Sequence, residues 1–118
     1  MFCVSILTSF DQTEMESIGL SDTIQNNILN LVERSIKAGA DGIVCSGHEI
    51  SLIRENFGDS VEILVPGIRF DSDDDDQKRV ISPRDAFDSG ADFIVLGRTI
   101  TESENRLKKL NDIIKSLS

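Results

Sequence analysis

AGADGIV (residues 38–44) and SGADFIV (residues 89–95) are near-copies of one another, 51 positions apart. Each joins a glycine suited to ending a helix, a short turn and an apolar run suited to a buried strand. A helix that leads into a buried strand is typical of alternating β-α units, and the spacing between the copies leaves room for two such units. The sequence therefore predicts an internally duplicated α/β fold.

Four apolar runs rich in β-branched residues are predicted to be strands, at residues 3–7, 42–46, 62–65 and 93–97. They are almost continuously apolar, which is typical of parallel strands with both faces buried. Between them, apolar residues recur three and four positions apart, the pattern of amphipathic helices. We therefore predict four β-α units with parallel strands and right-handed crossovers.

Local start and stop signals agree with these helices. Residues 46–49 and 101–104 have the spacing of capping boxes, and Ser82 followed by Pro83 is suited to the first turn of a helix. Gly39 and Gly90 are placed where a helix would end.

The length limits what this fold can be. A closed (β/α)8 barrel needs roughly 250 residues, and this chain has 118. Four units form half of such a barrel, with two unpaired strand edges and an uncovered apolar face. We expect one half-barrel domain over residues 1–118 that needs a partner.

Charge and composition exclude several classes of partner. The net charge of −9 argues against binding nucleic acid or an anionic membrane. No apolar run reaches the ~20 residues of a membrane span, and no leader peptide is visible. Cys3 and Cys45 lie within apolar runs and are predicted to be free, buried thiols. We therefore predict a cytoplasmic protein.

Ligands of parallel β-α proteins bind beyond the carboxyl ends of the strands. The polar groups predicted there are Thr8 and Ser9, residues 46–49, residues 66–69 with the loop that continues to Gln77, and residues 97–99. Arg69 and Arg98 offer planar, permanently charged donors to an anion. Gly97 lets the backbone approach a phosphate closely.

Other polar residues have simpler interpretations. The aspartates of residues 71–76 are predicted to form a solvated loop, because the glycine and glutamate of a calcium-binding EF-hand are missing. His48 stands near a predicted helix start with no visible nucleophile beside it. Asp41 and Asp92 recur in the repeat and are predicted to hold turns. We predict no metal site and no cofactor.

Several segments together resemble one known family. They are LTSF (7–10), ADGIVCS (40–46), LVPGIRF (64–70), DDQKRV (75–80) and SPRDAFDSGADFIVLGRTIT (82–101). Their order and spacing resemble the C-terminal half of orotidine 5'-phosphate decarboxylase of the bacterial type. The resemblance implies the C-terminal half of a (β/α)8 TIM barrel. It also implies a lyase of pyrimidine biosynthesis that converts orotidine monophosphate (OMP) to uridine monophosphate (UMP) and CO2.

The resemblance also implies roles for seven residues. Phosphate binding is implied for four of them, Arg69, Gln77, Gly97 and Arg98. Contact with the pyrimidine is implied for Thr8, with Ser9 beside it, and Pro66 is implied to line the pocket. Gln77 and Arg69 would then flank the acidic segment and close on the phosphate.

One departure from the family concerns the chemistry. The family's catalytic motif is Asp-x-Lys-x-x-Asp, and the nearest match here is Asp76-Gln-Lys78, with Ile81 where the second aspartate should be. We therefore predict no catalytic residue in this chain and no activity of the chain alone.

Three functions stay open. The first is one half of a split or truncated decarboxylase, with a nucleotide monophosphate or phosphate as ligand. The second is a non-catalytic nucleotide- or phosphate-binding module, and the third is an acidic interaction protein without a ligand. The expected partner is a second copy in a homodimer or a complementary N-terminal half chain.

Overall fold

The structure is a computed structural model that describes residues 1–6, 11–70 and 81–118. Strands and helices alternate along the chain. They are β1 (Phe2–Val4), α1 (Gln12–Ser17), α2 (Ile24–Lys37), β2 (Gly42–Val44), α3 (Ile50–Phe57), β3 (Glu62–Val65), α4 (Pro83–Ser89), β4 (Phe93–Ile94), α5 (Arg98–Thr101) and α6 (Arg106–Ser116). A 3₁₀ turn (Gly47–Glu49) precedes α3.

The four strands form one parallel sheet in the order β1-β2-β3-β4. Cys3 is in register with Ile43, Ile43 with Ile63, and Val65 with Ile94. Parallel strands joined through helices confirm the predicted α/β class.

The strands are shorter than predicted, except β3, which has the predicted bounds. β3 ends at Val65 because Pro66 has no backbone N–H with which to continue the ladder. β4 pairs with β3 alone and ends at Ile94, one residue before Val95 donates to the Val65 carbonyl oxygen at 2.9 Å. β2 ends at Val44 rather than 46, and the predicted end of β1 at residue 7 lies outside the described residues.

One face of the sheet carries the hydrophobic core. Ile43, Ile63 and Val65 alternate onto this face and are fully buried, together with Ile28 and Val32 of α2. Each such side chain contributes roughly 1.5–3 kcal/mol when it is removed from water. The helices cover this face.

The opposite face, which we call the open face, is apolar but largely uncovered. Its side chains come from the alternate positions of the strands and are Phe2, Val4, Val44, Glu62, Leu64, Phe93 and Val95. Val4 is 57% exposed and Phe93 47% exposed. The sequence is thus apolar on both faces of the sheet, while the described helices protect only one.

Two aromatic rings from the outer strands meet across the open face. The Phe2 and Phe93 rings pack edge to face, with their centroids 6.1 Å apart. Gly42 makes this possible, because a Cβ there would lie 2.2 Å from the Phe2 ring. α6 also presents exposed apolar side chains, with Leu107 70% exposed.

Three predicted helix boundaries are confirmed, one start and two ends. The Ser82 hydroxyl oxygen accepts a hydrogen bond from the Asp85 N–H at 3.1 Å, and Pro83 begins α4. Gly90 ends α4 with a φ of 114°, a left-handed conformation that glycine tolerates best. Gly39 has a φ of 93° just beyond α2.

Two predicted capping boxes are wrong. Ser46 makes no side-chain capping bond, and a 3₁₀ turn follows it rather than the first turn of an α-helix. Thr101 is the last residue of α5, where its N–H donates to the Gly97 carbonyl oxygen. Asn105 caps α6 instead, by accepting from the Lys108 N–H at 3.0 Å.

Arg54 of α3 links several segments at the amino-terminal edge of the sheet. Its guanidinium donates to the carbonyl oxygens of Gly58, Val61 and Gly90 at 2.8–3.0 Å and to the Asp92 carboxylate at 2.7 Å. The same Asp92 oxygen accepts the Ile63 N–H at 2.8 Å. Asp92 therefore holds the turn into β4, as its position in the repeat predicts.

Asp41 occupies the matching turn before β2. Its backbone donates to the Met1 carbonyl oxygen and accepts from the Glu62 N–H, so it joins β1 and β3. Its carboxylate contacts the Met1 ammonium group, which lowers the pKa of that carboxyl.

The helices of the described residues include none with both the length and the apolar character needed to cross a lipid bilayer.

Candidate functional site

The segment after β3 carries Arg69. Pro66 and Gly67 begin it, and Gly67 has a φ of 72°, a left-handed conformation that glycine tolerates best. Ile68 is buried with 2% exposure and anchors the segment in the core. The neighbouring Arg69 is half-buried at the carboxyl edge of the sheet.

The segment after β4 lies beside it, and two sets of hydrogen bonds join the segments. Val95 donates to the Val65 carbonyl oxygen at 2.9 Å where the strands end. Farther along, the Thr99 hydroxyl bonds both backbone groups of Phe70, at 3.3 and 3.4 Å. We call residues 66–70 and 96–99 the loop pair.

The loop pair carries every predicted site residue that the structure describes. Pro66 and Arg69 lie on one member, and Gly97 and Arg98 on the other. Thr8, Ser9 and Gln77 lie outside the described residues, as do the aspartates of residues 71–76.

The groups that the loop pair presents are suited to an anion. Within residues 1–6, 11–70 and 81–118, neither the Arg69 nor the Arg98 guanidinium forms an ion pair. Gly97 accepts from the Ile100 and Thr101 N–H groups in the first turn of α5. No described residue approaches within 4 Å of where a Cβ on Gly97 would stand. Planar, charged guanidinium groups beside an accessible backbone are a combination that binds phosphate.

Contacts around Phe70 support the Arg69 side of the loop pair. The Lys109 ammonium of α6 lies 5.3 Å from the centroid of the Phe70 ring, within the range of a cation–π contact. The Arg69 N–H donates to the Ile81 carbonyl oxygen at 3.3 Å, which brings the chain back to the same place after residue 80.

Comparisons with known proteins identify the family. The sequence profile of the orotidine 5'-phosphate decarboxylase / HUMPS family matches residues 1–113. The chain belongs to this family. Curated relatives called orotidine 5'-phosphate decarboxylase include those of Buchnera aphidicola, 42% identical over 118 residues, and of Pseudoalteromonas translucida, 38% identical over 118 residues.

The chain spans about half the length of these orotidine 5'-phosphate decarboxylases. Each of the two alignments covers 99% of this chain and 50% of the relative. A crystal structure of orotidine 5'-phosphate decarboxylase from Lactobacillus acidophilus superposes with a TM-score of 0.83 at 27% identity, and covers 99% of this chain and 48% of that one. Half coverage of both sequence and fold confirms half of a barrel and is consistent with the predicted C-terminal half.

His48 and Cys45 are two further residues of this family member whose side-chain types are used in catalysis elsewhere. His48 is exposed in the 3₁₀ turn. Cys45 is buried, and this burial, with the nearby Glu49 carboxylate, raises the pKa of its thiol to about 12. At neutral pH the Cys45 thiol is therefore protonated and a poor nucleophile. Within the described ranges, no three His, Cys, Asp or Glu side chains gather as a metal ion would require.

Sequence reasoning located Arg69 and Arg98 but missed the residues that connect them. In the sequence, Thr99 was noted only as part of the loop after β4. Neither Phe70 nor Lys109 has a sequence feature that indicates a role at the site. A threonine next to a predicted ligand gives no sequence indication of whether its hydroxyl reaches another loop.

Proposed function

We propose that this chain is the phosphate-binding half of an orotidine 5'-phosphate decarboxylase, a lyase of pyrimidine biosynthesis. The observation that supports this most directly is the loop pair, where Arg69 and Arg98 lie on adjacent, hydrogen-bonded segments of a family member. The ligand is a nucleotide monophosphate, held by its phosphate. Residues 1–118 act as a single half-barrel domain.

The phosphate is bound by local groups, against the overall charge of the chain. With a net charge of −9, long-range attraction of an anion is unfavourable. Two guanidinium groups can each donate two parallel hydrogen bonds to phosphate oxygens, and such bonds are stronger than neutral ones. In this proposal Gln77 closes from the second side, and Thr8 with Ser9 contacts the pyrimidine.

The chemical step requires residues that these 118 do not supply. When OMP loses CO2, the electron pair of the broken bond stays on the pyrimidine ring, and a lysine ammonium among carboxylates protonates that carbon. Such preorganised charge lowers the barrier, and remote phosphate contacts help only when that centre is present. The chain has no Asp-x-Lys-x-x-Asp motif, and Lys37 is paired with Glu33 at 2.9 Å.

We place the missing centre on a partner that covers the open face. Val4 and Phe93 are exposed on the two outer strands, and both outer edges of the parallel sheet can accept a further strand. A complementary N-terminal half chain would supply both strands and catalytic residues. A second copy in a homodimer would supply strands alone.

The free thiols of Cys3 and Cys45 suit a reducing compartment, and we place the protein in the cytoplasm.

Calorimetry with UMP and with inorganic phosphate tests the binding site. We expect Arg98→Ala to weaken binding by about ten- to hundredfold, because a charge-assisted contact contributes about 1.5–3 kcal/mol. Arg34→Ala is the matched control, since Arg34 is exposed on α2 away from the loop pair. Absence of binding to the unmodified chain would refute the site and leave the acidic interaction protein as the better interpretation.

An absorbance assay of OMP decarboxylation tests the chemistry. The chain alone should show no enzyme-like turnover, and a mixture with the N-terminal half of a related decarboxylase should recover it. If the chain binds phosphate but the mixture recovers no turnover, the non-catalytic binding module is the better interpretation. The observation in its favour is the missing Asp-x-Lys-x-x-Asp motif. Turnover by the chain alone that Lys78→Ala abolishes would make Asp76 and Lys78 the true catalytic motif.

A further inference from the structure

We propose that Thr99 is the positioning residue of the phosphate site, because its hydroxyl group holds the segment that carries Arg69 beside the segment that carries Arg98. This inference rests on the proposed function for its ligand, but the contact on which it depends belongs to the protein alone. Thr99 itself need not touch the phosphate.

The Thr99 hydroxyl bonds Phe70 in both directions. Its oxygen accepts the Phe70 N–H at 3.3 Å and donates to the Phe70 carbonyl oxygen at 3.4 Å. A hydroxyl group can do both at once because it has one hydrogen and two lone pairs. Each bond is long and weak alone, but two bonds to one residue fix its orientation as well as its distance. Both residues are half-buried, which limits competition from water.

No other hydrogen bond links the two members of the loop pair in the part of the chain that the structure describes. The ladder between β3 and β4 ends with the bond from Val95 to Val65, and Arg69 lies four residues beyond it. α5 contains no fully buried residue that would anchor it in the core. Phe70 is also held by Lys109 and Arg69 by Ile81, but those contacts lead to α6 and to the segment before α4.

This link matters because two arginines bind one anion well only when their spacing is already set. Ordering a long side chain or a loop at the moment of binding costs conformational entropy and so weakens the affinity. Thr99 and Phe70 directly follow Arg98 and Arg69 in sequence, so their contact sets the distance between the two arginine backbones. The free protein therefore holds the site near its binding geometry.

The first test measures amide exchange without any ligand. Thr99→Val keeps the shape of the side chain and removes the hydroxyl, whereas Thr99→Ser keeps the hydroxyl. We expect Thr99→Val to speed exchange of the Phe70 amide by about tenfold, with the Ile63 amide of β3 unchanged as a monitor of global opening. Thr99→Ser should resemble the parent chain. Thr101→Val is the matched control, since Thr101 is exposed on the same helix.

The second test is a double-mutant cycle on phosphate affinity. Thr99→Val should weaken phosphate binding about three- to tenfold when Arg69 is present and have little effect in an Arg69→Ala background, because the residue acts through Arg69. Thr99→Ser should restore affinity. Equal losses in both backgrounds would show a role other than positioning Arg69.

The two tests separate the possible failures. If the parent chain binds no phosphate but Thr99→Val loosens the Phe70 amide, the proposed function fails and the structural link stands. If Thr99→Val leaves the Phe70 amide unchanged, or Thr101→Val moves it equally, the inference is overturned whatever the chain binds.

Discussion

Replacing Arg54 should destabilise this protein more than replacing any exposed arginine. The Arg54 side chain is only 17% exposed and donates five hydrogen bonds, four to backbone carbonyl oxygens and one to Asp92. Arg54→Met keeps most of the aliphatic length and removes every donor. The carbonyl oxygens of Gly58, Val61 and Gly90 would then lose their charged partner.

The size of the effect follows from these contacts. A hydrogen bond to a charged group contributes about 1.5–3 kcal/mol, and a buried acceptor left unsatisfied costs about 1–3 kcal/mol. Gly58 and Asp92 are exposed and can bind water instead, so their share is small. Val61 and Gly90 are less accessible and account for most of the loss. We expect Arg54→Met to lower the free energy of unfolding by about 3 kcal/mol, a large share of the 5–15 kcal/mol that is typical of a domain.

Urea denaturation followed by circular dichroism measures this loss. With a slope of about 1–3 kcal/mol per molar urea, the midpoint should fall by at least about 1 M. Arg34→Met, on the exposed surface of α2, is the control and should change the free energy of unfolding by less than about 0.5 kcal/mol. A midpoint for Arg54→Met equal to that of the control would refute the claim that this guanidinium joins α3 to β3 and β4.

Two further predictions concern Cys45 and the glycines that end helices. The pKa of Cys45 rises from 9.0 to about 12 in the folded state, so the unfolded chain releases this proton first. The free energy of unfolding should therefore fall between about pH 9 and 12 by up to about 1.4 kcal/mol per pH unit, and Cys45→Ala should lack this contribution in denaturant titrations. Gly90→Ala should lower the melting temperature more than Gly39→Ala. Both glycines have positive φ, but only at Gly90 would a Cβ lie 3.1 Å from the Arg54 side chain, and equal losses would contradict this contact.

The β-α order and the loop positions of the site could be predicted because they depend on local patterns. Apolar runs gave the strands, and Ser82 with Pro83 gave the start of α4, since proline and a capping hydroxyl act within one turn. The same reasoning failed at Ser46 and Thr101, where the backbone groups that a cap would satisfy take part in other turns.

What sequence reasoning missed depends on contacts between distant residues. Arg54 reaches Gly90, 36 residues away, through a backbone carbonyl that any residue would offer. No residue type marks such an acceptor in a sequence. α1 is different, because its capping box from Asp11 to Glu14 is visible in the sequence. Its six residues were too short for a helical periodicity to draw attention to them.

The strand order has a consequence for how this chain folds. Because β1, β2, β3 and β4 are neighbours in the sheet in the same order as in the chain, each strand pairs with the strand before it in sequence, across a connection that contains at least one helix. Such pairing is non-local, so loop entropy is lost before the native contacts form, and folding is slower than in a helical bundle. During synthesis, each unit can dock onto the preceding one as it leaves the ribosome. The strand added most recently thus serves as the edge on which the next strand pairs.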